Sequence, residues 1–279
     1  MKQWHLIIDV EKCVDCNNCF LACKDEHVDN DWPGYTRPQP RHGQRWINIM
    51  RTERGQYPLI DVAYRPTTCM HCRQAPCIKA AGGSITKRPD GVVIIDPDKA
   101  QGRPELVKAC PYQAIWWNEE QAVPQKCTFC AHLLDQGWKK PRCAQACPTG
   151  ALRVEYVEDA DMSRICQAEN LEVLQPEYNT QPRVYYKNLY RFNKCFIAGS
   201  VAVNNSGVID CAEGVRISLF ADGNKISEVV SDNFGDFKID NLPVNSGLYS
   251  LELEMSGFNK ITVTVELTAS QNIGTVYLG

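Results

Sequence analysis

The chain has 279 residues, room for two or three domains at roughly 100–150 residues each. Its 30 basic and 33 acidic residues leave a net charge of −3, so no basic field suits nucleic acid or an anionic lipid surface. The compositional anomaly is fifteen cysteines, whose grouping, more than their number, decides between disulfides and metal.

In chain order, Met1–Val10 lacks the apolar stretch of a secretory or twin-arginine leader. The cytoplasm is therefore expected, with export beside a signal-bearing partner as the alternative. The longest apolar runs, such as Val92–Ile95, are too short to span a bilayer, and no direct membrane span is expected. Eleven of the fifteen cysteines fall between Cys13 and Cys143 in tight groups. The first group, CVDCNNCFLAC, sets Cys13, Cys16, Cys19 and Cys23 at gaps of two, two and three. The second, CMHCRQAPCIKAAG, has Cys69, Cys72 and Cys77, with Ala81 in the fourth place. A third, ending in ACPYQAI, keeps only Cys110; the fourth, CTFC followed by CAQACP, supplies Cys127, Cys130, Cys143 and Cys147.

Residues 1–155 therefore read as loops wrapped around inorganic centres. Residues 156–195 read as a connector that packs on that domain or on a partner: a helical run, DADMSRICQAENLEVL, then the aromatic segment QPRVYYKNLYRF. From 196 to 279, short alternating runs such as VRISLF, KISEVV and KITVTVEL, separated by Gly, Asn, Asp and Pro, predict an immunoglobulin-like β-sandwich with a structural or docking role. The fold class expected is α+β: paired ferredoxin-like modules followed by that sandwich.

Three thiolates on one tight loop reach three irons of a cubane, while the fourth, a turn away, points to a neighbouring centre, so such motifs work in exchanged pairs. Pairing the first group with the second strands Cys147, and pairing the first with the third strands Cys23. Pairing first with fourth and second with third strands nothing. It yields three quartets: Cys13, Cys16, Cys19 with Cys147; Cys23 with Cys127, Cys130 and Cys143; and Cys69, Cys72, Cys77 with Cys110. A fourth site would need both the trio missing from the third group and a cysteine at position 81. Cys110 survives because it serves the second group.

Cys-x-x-Cys pairs also bind structural zinc, so a zinc-stapled scaffold without redox function is the competing reading, and [2Fe–2S] centres compete with [4Fe–4S]. His71 sits inside CMHC, but its site already has four cysteines. Lys12, Lys126 and Arg142 directly precede cysteines of the groups, where a cation favours a reduced, more negative cluster; simple surface charge is the alternative. Tyr112, Trp116 and Trp117 are expected to cover a cluster or fill the vacated fourth region. Cys166 reads as a small apolar core residue, and Cys195 and Cys211 as free thiols. No phosphate loop or nucleophile–base pattern is present, so no catalytic residue is assigned.

The segments IDVEKCVDCNNCFLAC, YRPTTCMHCRQAPC, ACPYQAI and QKCTFCAHLL with CAQACPTGA together resemble the iron–sulfur subunits of molybdopterin oxidoreductases of the dimethyl-sulfoxide-reductase family. Most of that family carries four clusters, and this chain departs by one. The three-cluster layout, DEHVDNDWPGYT, RVYYKNLYRF and the β-rich tail are similar to a branch acting on polyhydroxylated benzene rings. The resemblance implies three [4Fe–4S] clusters, a large catalytic subunit holding molybdenum on two pterin guanine dinucleotides, and a cytoplasmic complex. It also implies ring hydroxyl chemistry: transhydroxylation, or hydroxylation of a resorcinol type with an external electron acceptor. For the tail it implies a carboxypeptidase-regulatory-like, structural module.

Overall fold

A computed structural model describes residues 1–205 and 207–279, in two compact units. The first comprises Met1–Arg51 and Tyr64–Leu189, and the second Thr52–Ala63 and Tyr190–Gly279.

The first unit is organised by β1 (Gln3–Asp9), α1 (Asn18–His27), β2 (Ile47–Gln56), β3 (Leu59–Thr68), α2 (Pro76–Ala80), β4 (Ile85–Lys87) and β5 (Val93–Ile95). A 3₁₀ turn (Pro104–Ala109) follows, then β6 (Trp116–Asn118), β7 (Val123–Gln125), α3 (Ala131–Asp135), α4 (Arg142–Gln145), β8 (Leu152–Val157), α5 (Asp159–Glu169) and β9 (Val184–Lys187). Strand β1 is central in the order β8-β1-β9, antiparallel to β8 and parallel to β9. Its run Leu6–Ile7–Ile8 is buried throughout, the continuous apolar pattern of a strand covered on both faces. The aromatic part of the connector becomes β9: Tyr186 is fully buried and donates its hydroxyl to the Pro66 carbonyl at 3.0 Å. The segment 156–189 thus belongs to the first unit, and the hairpin tip Thr52–Ala63 to the second.

The second unit adds α6 (Tyr190–Asn193), β10 (Cys195–Asn205), β11 (Val208–Cys211), β12 (Arg216–Ala221), β13 (Asn224–Val230), β14 (Asp236–Leu242), β15 (Gly247–Glu254), β16 (Ile261–Leu267) and β17 (Gln271–Leu278). One sheet is built on β10: β17 runs parallel to it, while β14 pairs antiparallel over Cys195–Ser200 and β11 over Ala202–Asn205. The other has the order β13-β12-β15-β16. Alternation turns Ile197, Ile217, Leu219, Leu251, Leu253, Leu267 and Leu278 into a single core between the sheets. Strands β11 and β17 carry little alternation, which hid them in the sequence: β11 is exposed along its whole length. Cys211 pairs in register with Ala202, seven residues along β10 from Cys195. At roughly 3.3 Å per residue, the two thiols are far outside disulfide range, and both are free.

Within this unit the hairpin tip is held by charge. The Arg54 side chain is 7% exposed and donates to Asp61 at 2.6 Å and to Asp240 at 2.7 and 2.8 Å. Asp61 also takes Arg191 at 2.6 Å and Lys238 at 3.1 Å. Burial alone would raise the Asp61 carboxyl, but hydrogen bonds from Arg191, Arg54 and Lys238 win and hold it at about 2. Removing one partner from such a network strands the others' charge. Arg54→Met is expected to destabilise this unit by about 3 kcal/mol, read by calorimetric unfolding of the intact protein; a loss under about 1 kcal/mol would mean the network is effectively solvated. Since the folded pKa of Asp61 lies below its unfolded value, its contribution is complete above about pH 4 and is lost as pH falls toward 2.

Candidate metal centres

Three Cys-x-x-Cys turns, Cys13–Cys16, Cys69–Cys72 and Cys127–Cys130, share one backbone device. The residue before the second cysteine is left-handed in each: Asp15 (φ 55°), His71 (φ 43°) and Phe129 (φ 57°). None is glycine, so each conformation carries a steric penalty of roughly 1 kcal/mol or more. Left-handed residues in such turns aim successive backbone N–H groups into one concavity, an arrangement suited to anions and to iron–sulfur sites. The Phe129 N–H meets the Cys127 Sγ at 3.3 Å, and the Ala114 N–H meets the Cys110 Sγ at 3.5 Å.

The expected quartets come together. Cys13 and Cys19 each have Cys16 and Cys147 as electrostatic neighbours, because α1 packs on α4 and the α4–β8 turn returns Cys147 to the first loop. Cys23, Cys127, Cys130 and Cys143 line one cavity with Leu6, His27, Trp46, Ile47, Thr68 and Phe129. Cys69, Cys72, Cys77 and Cys110 line another with Met70, Val93, Pro111, Tyr112, Ile115 and Lys126. The first quartet is nearer solvent: Cys16 is exposed, and Cys13 and Cys147 are half-buried. Among the described residues no three His, Cys, Asp or Glu side chains converge closely enough to share one ion. The second and third quartets each line a cavity.

Burial dominates the thiols. It pushes Cys19 and Cys72 up to about 12 and Cys77 to about 11, and raises Cys23, Cys127, Cys130 and Cys143 as well. Neighbouring thiolates raise most of them further, so four adjacent anions are unfavourable there unless a cationic centre lies among them. Cys147 differs. Burial pushes it up, but hydrogen bonds from the Leu152 backbone and from Thr149 outweigh this and hold it below its ordinary value.

The quartets form a series. Cys19 neighbours Cys23 and Cys143 of the second quartet, and Cys69 of the third neighbours Cys127. Ala81 is fully buried, as is Leu106 in the 3₁₀ turn. The Arg103 guanidinium donates to the carbonyl of Ala81 and to Ser84 Oγ at 3.0 Å.

The flanking residues separate clearly. Lys12 is exposed, 4.0 Å from Asp9, and Arg142 pairs with Glu26 at 3.2 Å, whereas Lys126 is buried. His71 is buried, and its Nδ1 accepts the Val93 N–H at 3.0 Å. Tyr112 and Ile115 line the third cavity, and Trp116 and Trp117 form β6, whose backbone pairs with β7. Cys166 is only half-buried on α5. Residues that sequence reasoning missed include Thr68, which lines the second cavity beside Cys127 and donates its hydroxyl to the Trp46 carbonyl at 2.8 Å, and Thr180, which lowers the Cys72 thiol's pKa and meets the Tyr112 hydroxyl at 2.6 Å. No motif marks them; Thr180 arrives from the connector. Replacing Arg103 by Met is expected to lower the stability of the first unit by about 1–3 kcal/mol with iron content unchanged, measured by thermal unfolding alongside metal analysis.

The chain matches known proteins over part or all of its length. A family model described as a 4Fe-4S dicluster domain matches residues 60–157. The chain is 45% identical to the pyrogallol hydroxytransferase small subunit of Pelobacter acidigallici over all of both chains. It is 34% identical to a sulfite dehydrogenase subunit of Allochromatium vinosum, over 67% of this chain and 83% of that one. It is 28% identical to the arsenate respiratory reductase iron–sulfur subunit of a Shewanella species, over 65% and 94%. The chain belongs to the family of iron–sulfur, electron-transfer subunits of molybdopterin oxidoreductases.

Proposed function

We propose that the chain holds three [4Fe–4S] clusters: one on Cys13, Cys16, Cys19 and Cys147, one on Cys23, Cys127, Cys130 and Cys143, and one on Cys69, Cys72, Cys77 and Cys110. When bound, each cluster stores and passes single electrons. The chain's own residues supply thiolates, N–H donors to sulfur and an apolar wall that excludes water. The observation that carries this reading is that two cavities are each lined by four cysteines drawn from different motifs, in the pairing that strands no thiol. A zinc-stapled scaffold on the same cysteines is the competing reading.

The partner proposed is a large subunit carrying molybdenum on two pterin guanine dinucleotides, which performs the bond chemistry in the cytoplasm. Full-length similarity to a pyrogallol hydroxytransferase small subunit supports polyhydroxylated benzenes as the substrates and transhydroxylation, without net redox change, as the reaction. An anaerobic resorcinol-type hydroxylase that passes electrons to an external acceptor is the second reading. The C-terminal sandwich is proposed to be an immunoglobulin-like docking module. No helix among the described residues is long and apolar enough to cross a membrane.

Purified complex should contain about twelve irons with matching sulfide and an absorbance that dithionite bleaches; colourless zinc protein would end the redox reading. Cys110→Ser and Cys72→Ser should abolish the same spectroscopic centre, and loss of two different centres would break the pairing. Turnover of pyrogallol without added acceptor supports transhydroxylation, whereas strict dependence on an acceptor supports hydroxylation.

A further inference from the structure

Lys126 ties the second and third quartets together. Its backbone precedes Cys127 of the second, while its side chain lines the cavity of the third with Cys69, Cys72, Cys77 and Cys110. The residue is 3% exposed. Its ammonium donates to two backbone carbonyls, that of Val93 and, at 3.0 Å, that of Cys127. Among the described residues no carboxylate pairs with it, unlike Lys12, Lys99 or Lys187. A full charge is retained in a protein interior only against an opposite one, and the acidic groups it faces are thiols: Lys126 favours the charged forms of Cys77, Cys110 and Cys127. Among the described residues the first quartet has no such cation; Cys13 faces Asp15 instead.

We propose that Lys126 is a counter-charge shared by the second and third centres, a fixed cation that raises the reduction potential of both and leaves the first untouched. This rests on the iron–sulfur reading above. Reduction of either centre adds one electron and one negative charge, with no bond made or broken. Lys126, held by two carbonyls that cannot follow the electron, compensates that charge without moving a proton. Electrons entering the chain then reside on the second and third centres in preference to the first. Lys126 acts through its field and takes no part in ligation.

The test is a redox titration of the intact complex with mediators and dithionite, followed by electron paramagnetic resonance, on wild type, Lys126→Met, Lys126→Gln and Lys126→Arg. In each neutral variant two of the three centres should become harder to reduce, with the reduced-to-oxidised ratio at a fixed potential falling at least tenfold, a shift of about 59 mV for one electron. The remaining centre should not move, and Lys126→Arg should restore wild-type behaviour. Unchanged potentials at full iron content, a shift confined to one centre, or an arginine variant that behaves like methionine would each overturn the proposal. If both neutral variants lose iron while arginine keeps it, the counter-charge is required to hold the thiolates, which upholds it. Loss in all three marks a packing role and overturns it. Absence of iron from the wild-type complex would instead refute the cluster reading, a distinct failure.

Discussion

Thiolates crowded into an apolar interior repel one another and lack water, and the structure depends on how that conflict is relieved. The N-terminal unit collects twelve cysteines into three quartets, and burial pushes most of their thiols upward. A protein spending its interior this way gains little hydrophobic stabilisation from it. Most of these thiols therefore stay protonated unless a cationic centre among them favours their thiolate forms. The left-handed turns at Asp15, His71 and Phe129 belong to the same design: their steric penalty is offset when backbone N–H groups surround a negatively charged centre.

The quartets also explain the topology. Each combines residues far apart in sequence, such as Cys13 with Cys147, so ordinary secondary structure must bring distant loops together before any centre can form. Strand β1 pairing with β8, and α1 packing on α4, return the fourth motif to the first. The connector adds β9 to the same sheet and delivers Thr180 to Cys72. The second unit is held by conventional means, an apolar core between two sheets and a buried charge network at the hairpin tip.

The chain's work is electron transfer, and its chemistry-bearing side chains are concentrated in the quartets and their surroundings, in keeping with bond chemistry left to a catalytic partner. At position 81, where the spacing pattern would place a further cysteine, a fully buried Ala81 accepts from Arg103 through its carbonyl.

Cysteine spacing by itself determined which four thiols would meet, because cluster geometry admits few spacings and only one pairing leaves no cysteine stranded. It also determined that a β-rich domain follows, since two-residue alternation is local, as in VRISLF and KITVTVEL. Tertiary structure alone decided how those thiols are surrounded. Lys12, Lys126 and Arg142 occupy equivalent places beside cysteines, yet one is solvated, one is buried between two quartets and one is shared with Glu26. Likewise β11, Thr68 and Thr180 left no local signal. Burial and the identity of a neighbour depend on what the rest of the chain brings to a position, and that is a long-range property no single stretch of sequence encodes.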